Sequence, residues 1–145
     1  PHVNRSYLDN PHANRANKIY AEDGTVWHRT GDVACFDEHQ RIWLQGRVKD
    51  LVQHRGVSVQ PLPIEAALDA LDGVARSALI QGTGACSAIL VLELATHQLP
   101  EESIHKVLTR YRLDEVPLVV RQKIPMDYRH QSKIDRVGLR ASLRE

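Results

Sequence analysis

The sequence has few aromatic side chains, almost no net charge and no long apolar run. Aromatic residues make up 5% of the 145 residues, which leaves few side chains on which nucleic-acid bases could stack. The net charge is +1 and the basic residues are scattered among acids, so no basic patch indicates a nucleic-acid partner. The longest good apolar run is 88–92, far short of the roughly 18 residues that span a bilayer. We therefore expect neither nucleic-acid binding nor a transmembrane segment.

Cysteine is scarce as well, and the signs of secretion are missing. Cys35 and Cys86 lie far apart, each among apolar neighbours, and we interpret both as buried, reduced thiols. The first residues lack the basic start, apolar run and small-residue cleavage site of a signal peptide. These features predict a soluble, cytoplasmic protein.

The first third of the chain is predicted to be a small antiparallel unit. Short strands are predicted at 26–28, 33–36 and 41–46, separated by polar turns. The stretch before them is polar and turn-rich, as in a segment cut from a larger body. The pattern changes beyond Arg47, and we place a domain boundary between residues 48 and 49.

Segment 49–145 is predicted to be a compact α+β domain. A hairpin turns at 54–56, and Pro63 suits the first turn of a helix that ends by Gly73. Further strands are predicted at 75–81, 87–94 and 116–120, and further helices at 100–111 and 134–143. Pro117 favours an edge or the start of its strand. The expected architecture is a hairpin followed by a three-stranded sheet packed by helices.

Asp32 is the first candidate for chemistry. It ends the motif His28-Arg29-Thr30-Gly31-Asp32, in which a strand turns on Gly31 and presents a carboxylate. A carboxylate in that position can accept two hydrogen bonds from a ribose diol. The plainer interpretation is an Asp that caps the turn, which is common beside Gly.

Two further motifs supply candidate cations. Arg47 lies at the predicted boundary, and its planar fork of donors suits sugar hydroxyls or a phosphate; a surface salt bridge is the plainer alternative. Lys133 lies in a polar loop ahead of a helix, where it could direct a compact positive charge at a reacting phosphate or carboxylate. An isolated loop lysine is most often a solvated surface residue.

Taken in order, three motifs resemble the superfamily of acyl-CoA synthetases, nonribosomal peptide adenylation domains and luciferases: RTGD, GRVKDLVQHRGVSVQPLPIE and PMDYRHQSKIDR. The likeness covers nearly the whole chain and is greatest to fatty-acyl ligases and to related enzymes that convert β-hydroxy acids to β-lactones. The resemblance implies the C-terminal portion of an adenylate-forming enzyme. Residues 1–48 would then be the edge of the large N-terminal domain and 49–145 the mobile C-terminal lid.

The resemblance also implies a reaction, in which a carboxylic acid and ATP form an acyl adenylate. The acyl group then passes to an acceptor, with coenzyme A expected for a fatty-acid ligase. Asp32 and Arg47 would bind the nucleotide, Lys49 or Asp50 would be the hinge, and Lys133 would stabilise the adenylation transition state. ATP and Mg²⁺ would be held mainly by the N-terminal domain of the same enzyme.

Some features depart from the family pattern. Ser132 stands where the family usually has Gly, Lys49 where the hinge is often Asp, and Gln53 where many members carry Lys. The phosphate-binding loop and the acyl pocket of the superfamily are absent from this sequence. We therefore expect the chain by itself to be inactive.

Two alternatives stay open. The first is a noncatalytic module that keeps the lid fold and docks on a partner. Docking would need neither Arg47 nor Lys133, which argues against this alternative. The second is a metal site, but His28, His39, His54 and His130 lack ligand-like spacing, and no metal ligand is assigned. The acid, the acyl acceptor and the oligomeric state are left open by the sequence.

Overall fold

The structure is a computed structural model that describes residues 3–82, 88–128 and 132–143. The chain divides into two compact units, Pro1–Leu44 and Gln45–Glu145. The second unit begins slightly ahead of the boundary expected between residues 48 and 49. That these units are a domain edge and a lid stays a prediction.

The first unit consists of one short helix and short strands. They are α1 Pro11–Asn17, β1 Lys18–Tyr20, β2 Val26–His28, β3 Asp32–Phe36 and the start of β4 Ile42–Arg47. Strands β1 and β2 pair antiparallel, and β3 pairs with β4 in a separate two-stranded sheet. The predicted strands are therefore present.

Helix α1 was not predicted from the sequence. The Asn10 side chain accepts a hydrogen bond from the Ala13 backbone N–H at 2.9 Å, and Pro11 occupies the first turn; both favour a helix start. None of the helix residues is buried. The helix thus lacks the apolar stripe by which periodicity reveals helices.

Asp37 organises the turn between β3 and β4. Its carboxylate accepts hydrogen bonds from the Trp43 indole N–H at 2.9 Å and from the backbone N–H groups of His39 and Arg41, each at 2.9 Å. The indole hydrogen bond, followed by that from the Arg41 backbone, lowers the pKa of Asp37 to about 2. The carboxylate is therefore charged over the physiological pH range.

Cys35 on β3 is exposed, so the expectation of a buried thiol was wrong for this residue. Most side chains of β3 and β4 are exposed within this chain, because a two-stranded sheet offers little surface on which to bury its faces. Cys86 lies outside the described residues.

The second unit has the α+β class predicted from the sequence. A 3₁₀ turn, Val48–Asp50, precedes the hairpin. The remaining elements are β5 Val52–His54, β6 Val57–Val59, α2 Pro61–Asp69, β7 Val74–Gln81, β8 Ala88–Leu94, α3 Glu101–Arg110, β9 Leu118–Arg121 and α4 Arg136–Ser142. None of the helices in the described part of the chain has the length and apolar character that a membrane crossing requires.

The main sheet has the order β7-β8-β9. Strand β7 is antiparallel to β8, whereas β9 is parallel to β8, with α3 lying between them in sequence. Pro117 directly precedes β9, and its carbonyl accepts a hydrogen bond from the Leu90 N–H at 2.9 Å. A proline beside an edge strand leaves no gap in the ladder, as the sequence predicted.

Both faces of this sheet are buried. Leu79 of β7 belongs to the core that contains α2 and α3, with Ile64, Leu68 and Ile104. Its neighbour in sequence, Ile80, belongs to a second cluster with Ile124 and Leu139. Since successive strand residues point to opposite faces, α2 and α3 cover one face, and α4 with residue 124 covers the other.

Helix α2 begins at Pro61, so Pro63 lies in its first turn, as predicted. The start of α4 differs from the prediction. Helix α4 begins at Arg136, because the Asp135 carboxylate accepts a hydrogen bond from the Gly138 N–H at 3.0 Å and caps the helix there. The sequence prediction had begun this helix at Ile134.

A buried ion pair connects three elements of the second unit. Arg136 donates from Nη1 to Glu65 Oε1 at 2.8 Å and from Nη2 to Glu65 Oε2 at 2.7 Å. Nη1 also donates to the Leu79 carbonyl at 3.0 Å, and Glu65 Oε1 accepts from the Leu79 N–H at 2.7 Å. Only 15% of the Arg136 side chain and 7% of the Glu65 side chain are exposed. The pair therefore joins α2, β7 and α4.

Arg136 stays protonated despite its burial. Burial by itself would lower the pKa of Arg136, but the hydrogen bonds and charge of Glu65, with a contribution from Asp50, raise it above its ordinary value. A guanidinium is effectively always protonated in proteins. Glu65 is therefore always opposed by a cation.

Gly46 packs tightly against the Gln60 side chain. Its φ is +138°, and a Cβ there would lie 2.7 Å from Gln60 Oε1. Nε2 and Oε1 of Gln60 are buried without a hydrogen-bond partner in the described structure. Glycine is thus required at 46 by the backbone conformation, and a Cβ there would also displace the end of the Gln60 side chain.

Substitution of Arg136 by Met should lower the free energy of unfolding of the second unit by about 3–5 kcal/mol, because it leaves Glu65 as an uncompensated buried charge. The measurement is urea unfolding followed by far-UV circular dichroism, with amide hydrogen exchange of β7 and β8. The two tryptophans, Trp27 and Trp43, both lie in the first unit. Tryptophan fluorescence therefore reports the unfolding of the first unit separately.

The matched control is Arg110→Met, which removes an exposed guanidinium from α3 and should change stability little. The double variant Glu65→Leu with Arg136→Met should recover part of the loss, because no buried charge remains alone. A loss below 1 kcal/mol in Arg136→Met, on the order of a surface change, would show that the pair does not hold the unit together.

Substitution of Gly46 by Ala should lower the free energy of unfolding of the second unit by about 1–3 kcal/mol, from backbone strain together with the clash on Gln60. Gly56→Ala is the control, because Gly56 has a φ of +79° but open space around the Cβ position. Adding Gln60→Ala to Gly46→Ala should remove the clash with the Gln60 side chain but keep the backbone strain at residue 46, so only part of the lost stability should return. Equal losses for Gly46→Ala and Gly56→Ala would argue against the close contact.

Candidate functional site

Asp32 lies at the start of β3, directly after a turn that requires glycine. Gly31 has a φ of +76°, and nothing lies within 4 Å of the position of a Cβ there. The Asp32 backbone N–H donates to Thr30 Oγ1 at 3.1 Å. The residue is exposed. The turn therefore leaves Asp32 exposed at the surface of the first unit; that its carboxylate receives hydroxyl donors stays a prediction.

The predicted hinge residues Lys49 and Asp50 lie in the 3₁₀ turn Val48–Asp50 of the second unit. Arg47 ends β4, Lys49 is exposed and Asp50 is partly buried. The turn is closed by the Leu51 N–H donating to the Val48 carbonyl at 3.3 Å. Arg47 and Leu51 on either side are extended, with ψ of 141° and 134°. A single 3₁₀ turn between extended residues can change direction by altering a few torsions.

Lys133 lies in a loop whose base is fixed by backbone contacts. The Asp127 N–H donates to the Lys133 carbonyl at 2.7 Å, and the Asp135 N–H donates to the Pro125 carbonyl at 2.9 Å. An isolated antiparallel bridge joins Met126 to Ile134. Lys133 is exposed. The backbone of this lysine is thus held in place while its side chain is presented to solvent; residues 129–131 of the loop lie outside the described residues.

Arg136 lies between the hinge and the Lys133 loop. Its Nε is 3.9 Å from Asp50 Oδ2, and it begins α4 shortly after Lys133. Asp50 therefore contacts the side chain of the residue whose backbone follows the Lys133 loop. Of the other predicted residues, Asp32 belongs to the first unit, whereas Arg47 and Lys49 belong to the second.

Arg136 and Glu65 were not singled out from the sequence. Both stand in the motifs used there, Glu65 at the end of PLPIE and Arg136 at the end of KIDR. Their charges were visible, but their pairing joins positions 71 residues apart. No local pattern signals such a contact.

The hairpin β5–β6 carries the residue for which the family often has lysine. Arg55 and Gly56 form its turn with φ of +49° and +79°, the conformation of a two-residue hairpin turn. The Gln53 side chain donates from Nε2 to Ser58 Oγ at 2.7 Å, and its backbone N–H donates to Gln81 Oε1 at 2.7 Å. Gln53 is therefore built into the hairpin by neutral hydrogen bonds.

The histidines form no metal site in the parts of the chain that are described, where no group of three or more His, Cys, Asp or Glu side chains could hold an ion. His54, which ends β5, is buried, with 8% exposed. His130 lies outside the described residues. A cavity of about 450 Å³ beside α4 contains none of the five predicted site residues; its lining is Arg121, Lys123, Pro125, Gly138, Leu139 and Ser142.

The chain is similar to curated enzymes over most of its length. It is 32% identical over 152 aligned residues to the olefin beta-lactone synthetase of Stenotrophomonas maltophilia strain K279a, covering 96% of this chain and 27% of that protein. It is 34% identical over 138 aligned residues to a salicylyl-CoA synthase / salicylate adenylyltransferase of a Streptomyces species, covering 88% of this chain and 24% of that protein. No family model matches the chain.

Solved structures agree with these relatives. The ATP-bound RpMatB-BxBclM chimera B3 is 25% identical and superposes with a TM-score of 0.75, covering 98% of this chain and 28% of the chimera. The chain spans about a quarter of the length of the curated relatives it matches. It belongs to the family of AMP-forming acyl-CoA ligases and related adenylate-forming enzymes, and it corresponds to their C-terminal domain region.

Proposed function

We propose that this chain is the C-terminal part of an ATP-dependent ligase, which forms an acyl adenylate from a fatty-type carboxylic acid and transfers the acyl group to coenzyme A. The observation that carries the proposal is the presentation of Lys133. Its backbone is anchored by the Asp127 hydrogen bond at 2.7 Å, while its side chain is exposed. A cation held in this way can be inserted into an active site completed by the large N-terminal domain.

Lys133 would act by neutralising charge. The attacking carboxylate and the α-phosphate of ATP are both anionic, so they repel each other until the new bond forms. A compact ammonium between them lowers the energy of the transition state more than that of the separated substrates. Lysine suits this role because its charge is concentrated on one flexible group.

Asp32 and Arg47 would bind the nucleotide. The Asp32 carboxylate offers acceptors for the two ribose hydroxyls, and the guanidinium of Arg47 offers donors to ribose and phosphate oxygens. Magnesium needs oxygen ligands in octahedral geometry, and the described residues contain no cluster that could hold a metal ion. As the resemblance implies, Mg²⁺ and most of the ATP contacts would belong to the N-terminal domain.

The 3₁₀ turn would serve as the hinge between two half reactions. Lys49 is exposed on this turn and Asp50 is partly buried, so Lys49 is the residue that can change torsion without uncovering buried surface. A swing about Lys49 would withdraw Lys133 after adenylation. The lid would then present another face for acyl transfer.

A second candidate is a β-lactone synthetase, in which a β-hydroxyl of the acid itself receives the acyl group. Two observations favour it. One is the 32% identity to the olefin beta-lactone synthetase over nearly the whole chain. The other is Gln53, whose hydrogen bond to Ser58 occupies with a neutral amide the place where many coenzyme A ligases carry lysine.

In the complete enzyme, Lys133→Ala should reduce ATP–pyrophosphate exchange at least 100-fold, a loss of roughly 3 kcal/mol of transition-state stabilisation. Acyl transfer from preformed adenylate should be spared, because the lysine acts only in the first step. Exchange is measured with a panel of fatty and β-hydroxy acids, and the products are identified by mass spectrometry. Lys106→Ala is the matched control, since Lys106 is also exposed and pairs with Glu102 on its own helix.

Each result distinguishes the candidates. Acyl-CoA as product supports the ligase, and a β-lactone formed without coenzyme A supports the second candidate. Equal loss of both half reactions in Lys133→Ala would show a structural role. No exchange with any acid in a folded wild-type enzyme would favour the noncatalytic module. The isolated chain, which should release no pyrophosphate, is the blank.

Substitution of Lys49 by Pro should impair chiefly the second half reaction, because proline fixes φ near −65° and so restricts the hinge. Rates of adenylation and of acyl transfer are measured separately by single-turnover kinetics, with Lys49→Ala as the control that removes the side chain but leaves the torsion. If Lys49→Pro transfers the acyl group as fast as Lys49→Ala, Lys49 is not the hinge, and the hinge must be Asp50 or another residue.

A further inference from the structure

We infer that Asp50 and Arg136 form a contact that couples the hinge to the Lys133 loop and so favours the adenylation half reaction. The inference rests on the proposed function and adds two positioning residues to it. It comes from one geometric fact: Asp50 of the 3₁₀ turn contacts the buried side chain of Arg136, and the backbone of Arg136 begins α4 shortly after Lys133.

The Glu65 side of this guanidinium is fixed. Nη1 and Nη2 make two hydrogen bonds to the Glu65 carboxylate at 2.8 and 2.7 Å, and Nη1 makes a third to the Leu79 carbonyl. A planar fork that donates two parallel bonds to a carboxylate has a defined orientation. Arg136 therefore keeps its place relative to α2 and β7 when the hinge moves.

The contact between Arg136 and Asp50 is longer than the contacts between Arg136 and Glu65. Arg136 Nε is 3.9 Å from Asp50 Oδ2, beyond hydrogen-bond distance but within the range of a strong charge attraction in a partly buried site. Asp50 is the last residue of the 3₁₀ turn, and 28% of its side chain is exposed. A swing at Lys49 alone would leave Asp50 beside Arg136, whereas a motion that includes the ψ torsion of Asp50 would separate the two residues and leave the Glu65 pair intact.

Arg136 can transmit this change because it lies at the base of the Lys133 loop. Its backbone N–H donates to the Ile134 carbonyl at 3.1 Å, and the preceding Asp135 N–H donates to the Pro125 carbonyl. When Asp50 lies beside Arg136, it is a second anion, after Glu65, that faces the guanidinium of this residue. Arg136 is also the first residue of α4. The contact thus stabilises together the hinge conformation described here and the loop that presents Lys133, which is why we assign it to adenylation.

The test uses the complete enzyme with Asp50→Asn, which preserves shape and removes the charge. We expect ATP–pyrophosphate exchange to fall at least fivefold, while single-turnover acyl transfer from preformed adenylate changes less than twofold. Asp50→Glu should restore most of the exchange, because the charge returns. Asp72→Asn is the matched control, an exposed aspartate of the same unit, and should leave both rates unchanged.

Coupling is tested by a double-mutant cycle with Arg136→Lys, which keeps the charge but cannot hold both carboxylates in one planar fork. If the contact transmits the effect, Asp50→Asn should lower exchange much less in the Arg136→Lys enzyme than in the wild type. The Asp50 variants leave the Glu65 pair intact, so they decide the question even where Arg136→Lys fails to fold.

Three results would overturn the inference. Additive effects of Asp50→Asn and Arg136→Lys would show that the residues act independently. An Asp50→Asn enzyme with equal loss of both half reactions, or with no loss, would remove the coupling while leaving the proposed function in place. A folded wild-type enzyme without exchange for any acid would instead refute the proposed function, and this inference with it.

Discussion

A guanidinium taken out of water must face an anion, and in this chain Arg136 faces Glu65 across three elements of the second unit. Each of the two charges would be costly in the core without the other, so α2, β7 and α4 can reach their final places only together. The loop of Lys133 ends where α4 begins. Its geometry therefore derives from the packed core and the buried ion pair, and only secondarily from the loop's own residues.

Much of the fold follows from local patterns. The predicted strands at 75–81 and 87–94 correspond to β7 Val74–Gln81 and β8 Ala88–Leu94, because apolar runs bounded by turns are typical of buried strands. The short helix α1 escaped prediction since it buries no side chain. The parallel direction of β9 could not be predicted either, because pairing direction depends on the path of the chain through α3.

The candidate site was likewise predicted only in part. Motif order led to Asp32, Arg47, Lys49, Asp50 and Lys133, and their roles stay predictions. Burial was misjudged for Cys35, because exposure depends on which elements pack against a strand, and a strand's own residues do not contain that information. The pairing of Glu65 with Arg136 could not be predicted from charge alone, since many acids and bases in this chain could have been partners.

The parallel pairing of β9 with β8 has a consequence for biosynthesis. Strands β7 and β8 are antiparallel neighbours in sequence and can associate on the ribosome as soon as residue 94 has emerged. Strand β9 must wait for α3, and Glu65 has no cation until residue 136 has left the exit tunnel. Contacts between residues far apart in sequence form late because the intervening chain must first be ordered. Lys133 thus emerges only three residues ahead of the arginine that completes the buried ion pair, so the lysine loop and the core of the second unit become complete almost together.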